Sequence, residues 1–88
     1  MKSLVVITGA SSGIGAAAAR TFSQAGHPLL LIARRLDRME NLKLPYSLAK
    51  PVDVLDLAEF SKAVAEAEAL YGPTDLLINN AGYMNLEH

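Results

Sequence analysis

Residues 4–7 read Leu-Val-Val-Ile, apolar at every position, and run straight into the glycine-rich TGASSGIG of residues 8–15. A short β-branched run without polar alternation is buried on both faces, as a central strand of a parallel sheet is. Beyond the glycines the alanines at 16–19 favour helix, and Ile14, Ala18, Phe22 and Ala25 recur at helical spacing. Gly26 is placed to stop that helix. A buried strand, a glycine turn and a helix form one β-α unit, and few folds begin this way.

The pattern repeats along the chain. Residues 29–33 predict a second buried strand, and residues 36–42 a short helix with Asp37 near its start. Residues 46–54 contain a third strand, short and broken near Pro51. Residues 56–71 predict the longest helix, with Leu57, Phe60, Val64, Ala67 and Leu70 as its apolar stripe and Gly72-Pro73 as its end. Residues 75–78 predict a fourth strand. The order β-α-β-α-β-α-β with short connections implies an α/β fold: a Rossmann-like parallel sheet with helices on both faces. Right-handed crossovers from such a start place the strands in the order 3-2-1-4.

Eighty-eight residues make one small domain or part of a larger one. At 51% hydrophobic and 19% charged, the chain suits a packed core and not a disordered segment. A net charge of −1 gives no reason to expect nucleic acid or an acidic membrane surface as partner. With no cysteine, disulfides and thiolate metal sites are excluded, which fits a cytoplasmic location. The apolar runs at 4–7 and 29–33 fall short of the about 7–15 residues of a signal core. They fall further short of the about 20 residues of a membrane span. The expectation is an untargeted chain with no membrane partner.

The glycines between the first strand and first helix can each be given a task. Gly9 lets the chain turn out of the strand, Gly13 lets backbone approach a pyrophosphate, and Gly15 lets the helix pack against the sheet. Free N–H groups and the positive end of the helix dipole then face the phosphates, and Ser11 and Ser12 add hydroxyl donors. A Walker loop needs Gly-Lys-Ser/Thr, and here Ile14 follows Gly13. The spacing also differs from the common G-x-G-x-x-G, so on pattern alone a turn that binds nothing is an equal reading.

Three motifs taken together carry a resemblance. Residues 8–15 resemble the cofactor fingerprint of the short-chain dehydrogenase/reductase family. Asn79-Asn80-Ala81-Gly82, at the end of the fourth strand, resembles that family's NNAG motif. Asp53-Val54, after the third strand, is similar to its adenine-contacting Asp. More narrowly, the chain resembles bacterial members described as blue fluorescent, whose emission would come from bound NADPH. The resemblance spans nearly all of this chain and the N-terminal part of a family member. It implies a partial NAD(P)-binding Rossmann domain over 1–88. Ser11, Gly13 and Ile14 would line the pyrophosphate, Asp53 and Val54 would meet adenine, and Asn79, Ala81 and Gly82 would run toward the nicotinamide. NAD-binding members carry an acid at the end of the second strand. This chain has Ala33-Arg34-Arg35 there. A guanidinium fork pairs with a 2′-phosphate that a carboxylate would repel, so NADP(H) is the expected cofactor. Other readings of these residues remain: the arginines as solvated charges, Asp53 as a turn residue, and Asn79-Asn80 as a strand-end turn with side-chain–backbone hydrogen bonds.

The family's catalysis uses a tyrosine and a lysine four apart on a helix, where one turn brings them to about 5–6 Å. Tyr46-Ser-Leu-Ala-Lys50 has that spacing. Pro51 disfavours helix at Lys50, and over four residues a strand rises about 13 Å, too far for the pair to couple. The segment also precedes the NNAG motif, whereas the family's pair follows it. It reads as a coincidence. Tyr71 and Tyr83 have no lysine partner, His27 lies at the end of the sheet away from any ligand, and His88 is terminal.

No catalytic residue is therefore assigned within 1–88. The resemblance implies an NADP(H)-dependent oxidoreductase as parent, moving hydride between nicotinamide and a carbonyl or alcohol carbon. The chain alone is expected to be inactive. A dinucleotide-binding module without chemistry, or a folding fragment, is the alternative. Leu86-Glu87-His88 reads equally as native sequence or as a tag remnant. Leu76, Leu77 and Ile78 would sit on an open apolar edge, which predicts self-association or a homo-oligomer.

Overall fold

The computed structural model describes residues 2–10 and 13–80. Its elements are β1 (Leu4–Thr8), α1 (Gly13–Gln24), β2 (Leu29–Ile32), α2 (Leu36–Glu40), β3 (Ser47–Lys50), α3 (Leu57–Tyr71) and β4 (Thr74–Asn79). The strands form one parallel sheet in the order β3-β2-β1-β4, as the crossover rule predicts. Among the described residues, no helix is long and apolar enough to cross a membrane.

Two cores sandwich the sheet because strand side chains alternate between faces. Val5, Ile7, Leu29 and Leu31 pack on one face with Ala19 of α1 and Met39 of α2, joined by Phe22 and Leu36. Leu4, Val6, Leu30 and Ile32 pack on the other face with Ala63 and Ala67 of α3. β1 and β2 are buried at every position, so the unbroken apolar runs are explained by helices on both sides. Each fully buried Leu or Ile here contributes about 1.5–3 kcal/mol relative to exposure.

The helix stripes differ from the expected ones. On α3, Leu57 and Leu70 are exposed, and the sheet-facing positions are Phe60, Ala63, Val64, Ala67 and Tyr71. Tyr71, four residues after Ala67, takes the place in the core that the i+3 position Leu70 was expected to fill. On α1 Ile14 is exposed, Ala25 falls just past the helix end and is exposed too, and Gly15, Ala16 and Ala19 are buried. Small residues let both helices lie close to the sheet, so the larger apolar residues fall to the flanks or outside.

Helix ends follow local chemistry. Asp56 caps α3, accepting the Glu59 N–H at 3.2 Å, and Gly72 closes it by donating its N–H to the Glu68 carbonyl at 2.8 Å. The Glu68 carboxylate then accepts the Thr74 N–H at 2.9 Å, leading the chain into β4. At the end of α1, the His27 N–H reaches the Phe22 carbonyl and the Gly26 N–H the Ser23 carbonyl, a Schellman closure. The His27 ring packs edge-on against Phe22 and meets the Ser3 carbonyl at 2.9 Å, so His27 closes the bottom of the sheet.

Candidate functional site

All strands run the same way, so their carboxyl ends (Thr8, Ile32, Lys50 and Asn79) share one rim. β2 and β3 lie on one side of β1 and β4 on the other. The chain's direction of winding reverses at β1, and ligands of open α/β sheets bind in the crevice at such a point. Gly9 and Ala10 leave β1 at that point.

The corner is tied to the end of β4. The Thr8 hydroxyl, buried with its residue, donates to Asn79 Oδ1 at 2.9 Å and accepts the Asn80 N–H at 2.9 Å. The Asn80 side-chain amide donates to the Gly9 carbonyl at 3.3 Å. Gly9 has φ 66, so the chain leaves β1 through left-handed backbone. A Cβ on Gly15 would overlap the Gly9 carbonyl oxygen and lie 3.0 Å from Asn80 Nδ2. The third glycine therefore allows α1 to approach the loop and the β4 end together. The Ala10 N–H is committed to the Ile32 carbonyl at 3.2 Å, which fixes the loop to β2. Gly13 has open space about it, and Ile14 beside it is 73% exposed. Ser11 and Ser12 lie outside the described residues, as do Ala81, Gly82, Tyr83 and residues 86–88.

The adenosine-side candidates gather at the ends of β2 and β3. The Arg34 guanidinium lies 3.5 Å from Asp53 Oδ2, with the two side chains 80% and 46% exposed. Arg35 pairs instead with Asp37 at 3.4 Å. Hydrogen bonding from Arg35 holds the Asp37 carboxyl below the usual carboxylate range, so Arg35 keeps an anionic neighbour at neutral pH. Asp53 is a turn residue too: Oδ1 accepts the Leu55 N–H at 2.9 Å and its carbonyl accepts the Asp56 N–H at 2.9 Å. Val54 is half-buried and belongs to the α3-side core.

The Tyr-x-x-x-Lys spelling at 46–50 has no catalytic geometry. Residues Ser47–Lys50 are strand, Tyr46 is exposed, and Lys50 pairs with Glu66 of α3 at 3.0 Å.

Sequence reasoning missed Thr8 and the reach of Asn80. In the sequence Thr8 stands only as the first residue of the glycine-rich fingerprint. Asn80 does make the side-chain–backbone bond of a strand-end turn, but to the β1 loop and not to its own neighbours. The signal available was a polar residue closing an otherwise apolar buried strand, and its partner becomes legible only once β1 and β4 are known to pair.

A corner of this kind fits an anionic dinucleotide. It pairs a glycine turn with open space about Gly13, at the start of α1, with two guanidinium groups at the neighbouring strand end. Comparison with known proteins points the same way. The family model for short chain dehydrogenases matches residues 3–88. An uncharacterized oxidoreductase of Staphylococcus saprophyticus is 42% identical over 85 residues, covering 92% of this chain and 35% of the relative. The crystal structure of L-sorbose reductase from Gluconobacter frateurii, complexed with NADPH and L-sorbose, superposes with a TM-score of 0.80 at 36% identity. It covers 91% of this chain and 33% of that one. A 3-ketoacyl-(acyl-carrier-protein) reductase from Brucella melitensis, complexed with NADH, has a TM-score of 0.78 at 28% identity, covering 85% of this chain and 32% of that one. The chain spans about a third of the length of the curated relatives it matches. These matches lend the narrower likeness to blue fluorescent members no support.

Proposed function

The chain belongs to the short chain dehydrogenase family, and from that premise we propose that it forms the NADP(H)-binding part of an oxidoreductase. The observation that carries this reading is Arg34: an exposed guanidinium at the carboxyl end of β2, where a carboxylate would favour NAD(H). Gly9, Ser11, Ser12, Gly13, Ile14 and Gly15 would hold the pyrophosphate at the start of α1. Arg34, with Arg35 beside it, would take the 2′-phosphate. Asp53 and Val54 would meet adenine, and Asn79, Ala81 and Gly82 would flank the ribose on the nicotinamide side. The cofactor, when bound, supplies or accepts a hydride, with a carbonyl or alcohol as the other party. This chain's own part is to bind, orient and fix the corner through Thr8 and Asn80. On this reading residues 1–88 hold the cofactor without turning it over, since Lys50 is engaged by Glu66 and Tyr46 sits on a strand approach.

Calorimetry with NADPH and NADH tests the assignment. A charge-assisted hydrogen bond contributes about 1.5–3 kcal/mol. Arg34→Asp should therefore weaken NADPH binding about tenfold or more and favour NADH. Undiminished NADPH affinity in that variant would remove Arg34 from the site.

The proposal extends to association. β4 pairs with β1 on one side, and Leu76 and Leu77 are 42% and 49% exposed. An apolar strand of this kind recruits further chain. Sedimentation velocity of the 88-residue chain should show mass rising with concentration. One constant monomeric mass across the series would count against it.

A further inference from the structure

We propose that Asp53 is a built-in rival for the cofactor's 2′-phosphate, so that the Arg34–Asp53 pair, and not Arg34 alone, sets the preference between phosphorylated and unphosphorylated cofactor. This rests on the reading of the corner as a dinucleotide site. The pair joins two residues that sequence reasoning had given to separate parts of the ligand, and it brings their charged atoms to 3.5 Å.

The two partners are not equally free. Asp53 Oδ1 holds the Leu55 N–H and its carbonyl holds the Asp56 N–H, so the carboxylate cannot turn away without loosening the entry to α3. Among the described residues, Arg34 has no comparable anchor in its long side chain, which is 80% exposed. Of the two, the arginine moves and the carboxylate stays. Arg35 cannot neutralise Asp53 in its place, because its own contacts go to Asp37.

A 2′-phosphate carries close to two negative charges at neutral pH. Binding at Arg34 therefore exchanges one anion for another, and the displaced carboxylate remains nearby as a like charge. An unphosphorylated ribose brings no such charge and leaves the Arg34–Asp53 pair intact. Asp53 thus narrows the gap between the two cofactors by opposing the phosphorylated one. It is a specificity-determining residue acting partly through Arg34.

The test uses two probes that differ only in the group at issue: adenosine 2′,5′-bisphosphate and 5′-AMP, titrated calorimetrically into the protein and into Asp53→Asn. Asparagine keeps an oxygen for the Leu55 N–H and removes the charge. The bisphosphate-to-AMP affinity ratio should rise about three- to fivefold at low salt, within the range of an exposed ion pair, and the rise should shrink in high salt. Asp53→Ser, which also keeps an oxygen acceptor, should move the ratio the same way. An unchanged ratio, with both ligands weakened alike, would mean that Asp53 contacts adenine only, and would overturn the inference while leaving the family reading intact. A lowered ratio would show Asp53 aiding the phosphate and overturn it too. If the unaltered protein binds neither probe, the dinucleotide reading falls first.

Discussion

The two halves of the candidate site are built on different principles. The corner around Gly9 and Gly15 is half-buried, cross-tied and sterically determined: Thr8, Gly9 and Asn80 hold one another through hydrogen bonds of 2.9–3.3 Å. The rim around Arg34, Arg35 and Asp53 is exposed, and its ion pairs stand at 3.4–3.5 Å. The corner is part of what makes the sheet fold. The rim rides on it and contributes little to stability, since exposed pairs are worth about 0–1 kcal/mol. On the proposed reading, such a division would let cofactor preference be retuned without disturbing the structure that would grip the shared phosphates.

Three substitutions probe this contrast, in falling order of expected effect on stability. Gly15→Ala forces a methyl group into the Gly9 carbonyl and against Asn80, and a backbone atom cannot swing aside as a flexible side chain can. Denaturant unfolding should register a loss of about 3 kcal/mol or more, at the upper end of overpacking effects. A loss under 1 kcal/mol would show the corner to be softer than the contrast requires. Thr8→Val keeps the shape but removes the hydroxyl that accepts the Asn80 N–H, and should cost about 1–3 kcal/mol. Protection of the Asn80 amide from hydrogen exchange should fall with it. Arg34→Asp should shift unfolding by less than about 0.5 kcal/mol while changing cofactor preference. A large stability change there would erase the distinction between the halves.

Legibility followed the same division. Backbone architecture was written in periodicity and punctuation: unbroken apolar runs for β1 and β2, Asp56 and Gly72 for the ends of α3, Gly26 for the end of α1. The strand order then followed from handedness. Properties that depend on which side of an element meets which neighbour were harder. Leu57 and Leu70 match a helical stripe in sequence, but the sheet selects Ala63 and Tyr71, because small side chains at the contact decide how the helix lies. Ile14 likewise joins the spacing pattern of α1 and yet stands in solvent. Thr8 with Asn80, and Arg34 with Asp53, are contacts between residues far apart in the chain. They exist only through strand register and loop placement, which no local pattern encodes. Asp53 shows that two readings can hold at once: it is a turn former by its Leu55 bond and a charged neighbour of Arg34 by its other oxygen.

The tie between Thr8 and Asn80 joins positions 72 apart in the sequence. A polypeptide emerging from the ribosome can form its β1–α1 unit first, but the latch that finishes the glycine corner cannot engage until Asn80 has been synthesised and β4 has docked beside β1. Completion of the corner therefore waits on β4 and cannot accompany the forming of the β1–α1 unit.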